Sequence, residues 1–383
     1  MRHFLHLIRP VLFFIILSFL SNSANSQSPS QLSIKSFAIF GGDINASLTD
    51  TTRAGVELAS NVSITGRGSI GSQSFLIFKN QVNTDGNIYG STAFIGTSFR
   101  LNGGSISVLN RQNFGEPDVL SVGSLSDFRS PGNISVNGNT QIVNNGTVAG
   151  LVTHPYGTFY NGPAPGNGES FTTPIFPALP VLPDTLTLPA AGTTTISSTQ
   201  TITPGNYRSI NLGLSTFSSQ QFITFSGVGS YFFNSITNNS KHTFIFDFKN
   251  NTTGTFKIYV QGNVDLGNID ISIINGGSAA RIYTEVHGTG TPGNGFTSFA
   301  MNTTNATSAS WSGTVFAQNG GIRIGNLNTG SVNVINGCMW SSTKVTIGRN
   351  TSFRYVPLSP SADPTPNFLI LPYYPPPADG KTN

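Results

Sequence analysis

Apolar residues in this chain come in short alternating runs closed by Gly or Asn. Asn61–Gly66 reads NVSITG, Ser74–Phe78 SFLIF, Gly86–Gly90 GNIYG, Gly104–Val108 GSISV and Gly132–Gly138 GNISVNG. Residues two apart on a strand face the same side. Gly and Asn accept the backbone angles that turns need. Each run therefore predicts a strand of three to five residues followed by a corner. Near the end of the chain, pairs at i and i+2 recur: Ile322/Ile324, Val332/Val334, Val345/Ile347 and Phe353/Tyr355. Each pair is expected to point inward. Spacings of 10, 13 and 8 residues between pairs exclude a strict hexapeptide or nonapeptide repeat. Few runs are long enough for a conventional sandwich. Short strands with frequent corners predict stacked coils, since one coil cannot bury its apolar face alone. The expected fold is all-β, an irregular β-helix (β-solenoid). The runner-up is a pair of β-sandwiches.

Proline divides the chain. Residues 33–150 form a first block of strand patterns. Residues 151–192 hold Pro155, Pro163, Pro165, Pro174, Pro177, Pro180, Pro183 and Pro189. Proline cannot donate to a ladder, so this segment reads as a surface connector. Its Phe176–Pro183 stretch (FPALPVLP) is apolar enough to pack down. Residues 193–358 resume the short strands, and 359–383 read as a Pro-rich tail. At the other end, residues 1–26 have the form of a secretory signal. Arg2 and Arg9 flank a short apolar stretch, Val11–Leu20, and Ala24 and Ser26 suit cleavage before Gln27. The expected location is secreted or cell-surface, with no membrane span in the mature chain.

Composition agrees with a folded β-protein. Charged residues are 9%, against about 25% in an ordinary domain. Polarity comes from Asn, Ser, Thr and 43 Gly, and 29 Phe supply core material. Removal of 1–26 takes Arg2 and Arg9 with it and leaves 17 basic and 15 acidic residues. So small an excess, scattered along the chain, points away from nucleic acid. Cys338 is the only cysteine, so no disulfide framework and no cysteine-based metal centre is expected.

Particular segments resemble a known family. Thr203–Ile210 (TPGNYRSI) and Gly227–Ile236 (GVGSYFFNSI) are similar to the PG-x-Y region of bacterial surface β-helix modules. Trp311–Gly320 (WSGTVFAQNG) and Asn336–Gly348 (NGCMWSSTKVTIG) look like paired coils of that group, and Ser36–Gly42 (SFAIFGG) like its opening. The group is the bacterial extracellular choice-of-anchor A type. More distantly, the layout resembles ice-binding adhesin-like domains of discontinuous β-helix type. The resemblance implies a right-handed β-helix on an extracellular bacterial protein, with no agreed enzymatic activity.

Candidate chemistry is sparse. His154, His242 and His287 lie far apart in sequence and outside metal-binding spacings, so turn roles are expected for them. No metal or other cofactor is expected. Many β-helices are polysaccharide lyases or hydrolases, which need clustered carboxylates. The best local set is Asp265, Asp270 and Glu285, with Arg281 or Arg323 as possible partners for a substrate carboxylate. Asp beside Gly and Asn more often supports a turn. The segment Thr193–Thr203 mixes hydroxyls with apolar residues. Its Thr193, Thr195, Thr199, Thr201 and Thr203 are candidates for a binding ladder, although Thr is also a good strand residue. Ten Asn-x-Ser/Thr sites, among them Asn61, Asn238, Asn302 and Asn350, could carry glycans in a eukaryotic pathway. The function expected is structural or adhesive, with contact to carbohydrate, matrix or ice through a broad flat face. A carbohydrate-active β-helix enzyme is the alternative.

Overall fold

The computed structural model describes residues 30–42, 54–96, 98–109, 120–122, 128–142, 146–184, 186–213, 220–291, 296–303, 308–328 and 332–362. Residues 1–26, read above as a secretory signal, and most of the expected tail lie outside them. The described residues form 36 strands, most of two to five residues. The strand pairings are parallel throughout. An all-parallel arrangement needs crossover connections and rules out the antiparallel sandwich pair. The fold is a β-solenoid with three faces, here called A, B and C.

Corners carry the sequence logic forward. In the first block Ile70, Ile88, Ile106, Ile134 and Val152 stack directly upon one another inside the solenoid. Two residues before each stands a glycine: Gly68, Gly86, Gly104, Gly132 and Gly150. A Cβ on Gly104 would lie 2.1 Å from the Gly86 carbonyl oxygen, and one on Gly132 2.1 Å from that of Gly104. Only glycine lets consecutive corners approach so closely. The repeat is 18 residues, interrupted by a step of 28 between Gly104 and Gly132. In the second block Gly313 and Gly337, at φ +122° and +155°, let two nine-residue strands, Ala309–Ala317 and Asn333–Ser341, bend from face C onto face A.

Inward positions make one continuous apolar core from end to end. Aromatic rings stack in it, as in Phe78–Phe99 at 5.6 Å and Phe225–Phe246 at 4.9 Å. Ile322, Ile324, Val345 and Ile347 are buried as the pattern predicts. Val332 and Val334 are not, at 51% and 40% exposed. Their neighbours Asn333 and Ile335 point inward instead. Asn333 can be buried because it accepts from Asn302 Nδ2 at 2.9 Å and lies 3.5 Å from Thr351 Oγ1. These side-chain bonds let Asn333 take the inward position, which displaces the apolar pair by one residue.

The order of coils in space differs from their order in sequence. The first strand, Phe37–Gly41, lies in the middle of the stack. It pairs on one side with Ser69–Ser72 and on the other with Asn333–Ser341. Val56–Leu58 likewise meets Val345–Ile347, and Val62–Thr65 meets Thr351–Tyr355. The first block therefore grows outward from a central seam and ends at Glu169–Ser170. The chain returns along the outside, begins again at the far end with Thr195–Ile196, and grows back to the seam.

The returning segment covers face A. Leu179, Leu182 and Leu188 pack on a row of outward aromatic side chains that includes Tyr259, Tyr283, Phe316, Trp340 and Phe40. The Leu32 N–H donates to Ala178 O at 2.9 Å, Gln261 Nε2 to Pro189 O at 2.8 Å, and Asn206 Nδ2 to Ala190 O at 3.3 Å. Prolines suit this strap because it joins no ladder and has few N–H groups to satisfy.

The seam carries its own electrostatic clamp on face B. Glu57 of the first block accepts from Lys344 of the second at 2.7 Å, and pairs with Lys79 at 2.9 Å. Burial pushes the Glu57 carboxyl up, but Lys344 and then Lys79 outweigh it and hold the carboxyl below its usual range.

Two predictions follow from corners and seam. Gly104→Ala is expected to cost about 2–4 kcal/mol, because overpacking here meets backbone. Gly213→Ala, where a Cβ meets nothing within 4 Å, is expected to change stability by less than about 0.5 kcal/mol. Urea midpoints compare the two. For Glu57, a depressed folded pKa means that its contribution is present above the unfolded value of about 4.3 and fades as pH falls through the folded value. Glu57→Gln should be less stable at neutral pH and should lose less on acidification below about pH 4.3 than the unaltered chain, read from urea midpoints against pH.

Candidate functional site

Three faces offer three different surfaces. Face A lies under the strap. Face B carries Glu57 with its two lysines, Asp265 and Arg323 along its outward column. Face C is crossed by no described segment and bears uncharged outward side chains on both sides of the seam.

That run has two tracts. In the second block Thr201, Thr224, Ile245 and Ser272 occupy one register column. Next to it Ser310, Val334, Ser352, Ser63 and Asn83 continue across the seam. Between the tracts the ladder is interrupted, and the Ile271 N–H donates to Ser310 Oγ at 3.1 Å. At about 4.8 Å per strand, nine positions extend roughly 38 Å. Beyond Asn83 the column becomes charged, with Arg100 and Arg129. Charges flanking the first tract are paired: Lys249 with Asp247 at 2.8 Å and Lys241 with Asp270 at 3.6 Å. Arg354 stands beside the second tract.

The Thr candidates behave differently from one another. Thr201 belongs to the column. Thr199 lies beside it with its hydroxyl engaged, donating to Gln221 Oε1 at 2.9 Å and accepting from the Phe222 N–H at 3.1 Å. Thr203 is exposed just past the strand. Thr195 lies on face B opposite Ser209, and Thr193 precedes it. The five thus run around the terminal coil, whereas the ladder runs across coils. Thr224, Ile245, Ser272, Ser352 and Ser63 were not singled out as binding residues, and Val334 was expected to point inward. Only the coil register brings them together, and variable loops hide it.

The carboxylates do not converge. Asp265, Asp270 and Glu285 belong to one coil and stand on faces B, C and A respectively. Burial raises the Asp265 carboxyl. Glu285 is fully buried, accepting from Tyr283 OH at 2.9 Å and lying 2.6 Å from His287 Nε2. Arg281 is spent on backbone carbonyls of Asn251, Gly254 and Gly276 and stacks over Phe248 at 4.3 Å. Glycosidic chemistry needs two carboxyls on one cleft.

The remaining polar candidates are tied into the frame. His154 is buried between Thr158 Oγ1 and Glu169 Oε1, each at 2.8 Å. His242 accepts the Gln221 N–H at Nδ1 at 2.9 Å, and burial lowers its pKa. Burial pushes the Cys338 thiol up to about 12, so it is inert. Asn238 and Asn302 are buried and bonded, whereas Asn61 and Asn350 hold left-handed corners. Among the described residues no group of three or more His, Cys, Asp or Glu is placed to hold a metal ion. None of their helices is long and apolar enough to cross a membrane.

No protein-family profile and no curated protein matches the chain. Two solved structures are similar to it. One is an ice binding protein from an Antarctic Biological Consortium, at 16% identity and TM-score 0.29, covering 60% of this chain and 85% of that one. The other is an ice binding protein from an Antarctic bacterium, Flavobacteriaceae, at 15% identity and TM-score 0.26, covering 86% of this chain and 99% of that one.

Outward placement on face C has a direct consequence. Thr224→Arg and Val334→Arg should each leave the unfolding midpoint within about 0.5 kcal/mol of the unaltered chain. Ile223→Arg, one residue along and fully buried, should prevent folding.

Proposed function

We propose that this protein works by binding an extended, regular, uncharged surface through face C, with ice as the foremost such surface. The observation that carries this reading is the exposed column of small hydroxyl and aliphatic side chains, set on a parallel stack at a fixed spacing. Binding a lattice of water rewards three properties. The surface must be rigid, so that little entropy is lost on contact. It must repeat, so that weak contacts add. It must be free of charge along its centre, because an ion pressed against ice loses hydration without a partner. Face C meets these conditions over two tracts. Face A is covered, and the outward column of face B carries Asp265, Arg323 and Glu57 through its middle.

The protein acts outside the cell in this proposal, secreted or held at the surface after removal of residues 1–26. Adhesion to polysaccharide or matrix would use the same exposed face. Catalysis is not part of the proposal, since the candidate carboxylates stand on three faces.

Partition into slowly grown ice, with inhibition of ice recrystallisation as a second measurement, tests the reading. The mature chain should enter ice and slow recrystallisation. Thr224→Arg and Val334→Arg should remove most of both effects, while Asn211→Arg on face B should keep them. A chain excluded from ice like an ordinary globular protein, or face C variants equal to the unaltered chain, would overturn the proposal.

A further inference from the structure

Where face C gives way to face A in the first block, three successive turns differ in length. Ile64, Thr84 and Leu101 are in register at the end of face C. Ile70, Ile88 and Ile106 are in register at the start of face A. The chain advances six residues between these positions in the first coil, four in the second and five in the third. The short middle turn is therefore recessed between longer neighbours. A cleft of about 650 Å³ results, with Asp85, Gly86 and Asn87 along its middle turn, Thr65 and Arg67 to one side, and Asn102, Gly103 and Gly104 to the other.

The first wall is held under strain. Asp85 accepts the Gly66 N–H at 2.9 Å and the Arg67 N–H at 2.7 Å. Arg67 stands at φ +64°, a left-handed conformation that a long side chain rarely adopts and that glycine adopts freely. Such strain persists where surrounding contacts impose it and often marks a binding site. Here it places an exposed Arg67 at the cleft with its guanidinium unbonded. The side chains of Ser63, Thr65, Asn83 and Asn102, which line the same cleft, are unbonded as well. The cleft thus gathers five uncommitted polar side chains on one concave surface.

We propose that this cleft binds an acidic saccharide unit of a polysaccharide. The guanidinium presents paired donors that match a carboxylate. The amides of Asn83 and Asn102 each offer donors and an acceptor, which suits the mixed demands of sugar hydroxyls. Three coils span about 10 Å, room for a short stretch of sugar chain. Both Asp85 oxygens are committed to the turn, so no acid and base pair is free for cleavage, and the site binds without hydrolysing. The cleft shares Ser63 and Asn83 with the face C column, whereas Arg67 and Asn102 stand outside it, so variants at those two positions probe the cleft apart from ice binding.

Affinity electrophoresis or titration calorimetry of the full mature chain tests it, with polygalacturonate as probe and dextran as uncharged control. Polygalacturonate should bind with an affinity that falls as salt rises, and dextran about ten-fold more weakly or not at all. Arg67→Gly should weaken binding about ten-fold while leaving the unfolding midpoint unchanged or raised, since glycine relieves the backbone. Arg67→Asn, which also tolerates this φ, gives a second measure should the glycine variant fold poorly. Asn102→Ala on the opposite wall should weaken binding severalfold. Lys241→Ala removes one positive charge elsewhere and should change affinity less than two-fold. Indifference of the unaltered chain to polygalacturonate, full binding by the Arg67 variants or by Asn102→Ala, or an equal loss in Lys241→Ala would overturn the site. Ice partition of the Arg67 variants should match the unaltered chain, so the two proposals fail separately.

Discussion

Parallel stacking is the constraint on which everything else depends. Each coil leaves rows of N–H and C=O groups along both edges, and an apolar interior that one coil cannot close. Both are satisfied only by another coil. Because the first strand lies in the middle of the stack, its second edge is met by Asn333–Ser341, some 300 residues later. The seam is therefore as much a part of the ladder as any sequential contact. Trp340 reinforces it, donating from Nε1 to Phe37 O at 2.8 Å. Such long-range closure is slow to form, since loop entropy must be spent before the contacts reward it.

The same topology assigns the faces. A chain that ends its first block at one end of the stack must travel back to start the second. That return path covers face A and turns outward aromatic side chains into a second core. The seam places Glu57 between two lysines on face B. Face C is left open, and its outward positions are mostly small and uncharged. The cleft beside it arises from unequal turn lengths in coils that otherwise repeat every 18 residues. Surface character is thus a consequence of chain path, with side-chain identity acting within the limits that path sets.

Much of the fold could be read from residues. The alternation around Ile64, Ile88, Ile106 and Ile134 marks inward faces correctly, and glycines mark corners. The regular spacing of Gly68, Gly86 and Gly104 was also present, hidden by the longer step to Gly132 and by its absence from the second block. Val332 and Val334 misled, because a buried Asn can outrank Val once Asn302 and Thr351 satisfy it. The Thr193–Thr203 segment drew attention as a local cluster. The column that contains Thr201 is assembled from residues 18 to 289 positions apart. Asp265, Asp270 and Glu285 are close in sequence and diverge, because successive thirds of one coil face different directions.

By itself the sequence determined strand and corner, and its single cysteine leaves no pair for a disulfide within the chain, since these rest on backbone preference and residue count. Tertiary structure alone decided the central seam, which face is covered, which carboxylates stay apart and where a cleft opens. Those depend on how far each loop carries the chain before the next coil begins. Loop length has no local signature in side-chain chemistry, so neighbours across coils become visible only when the stack is formed.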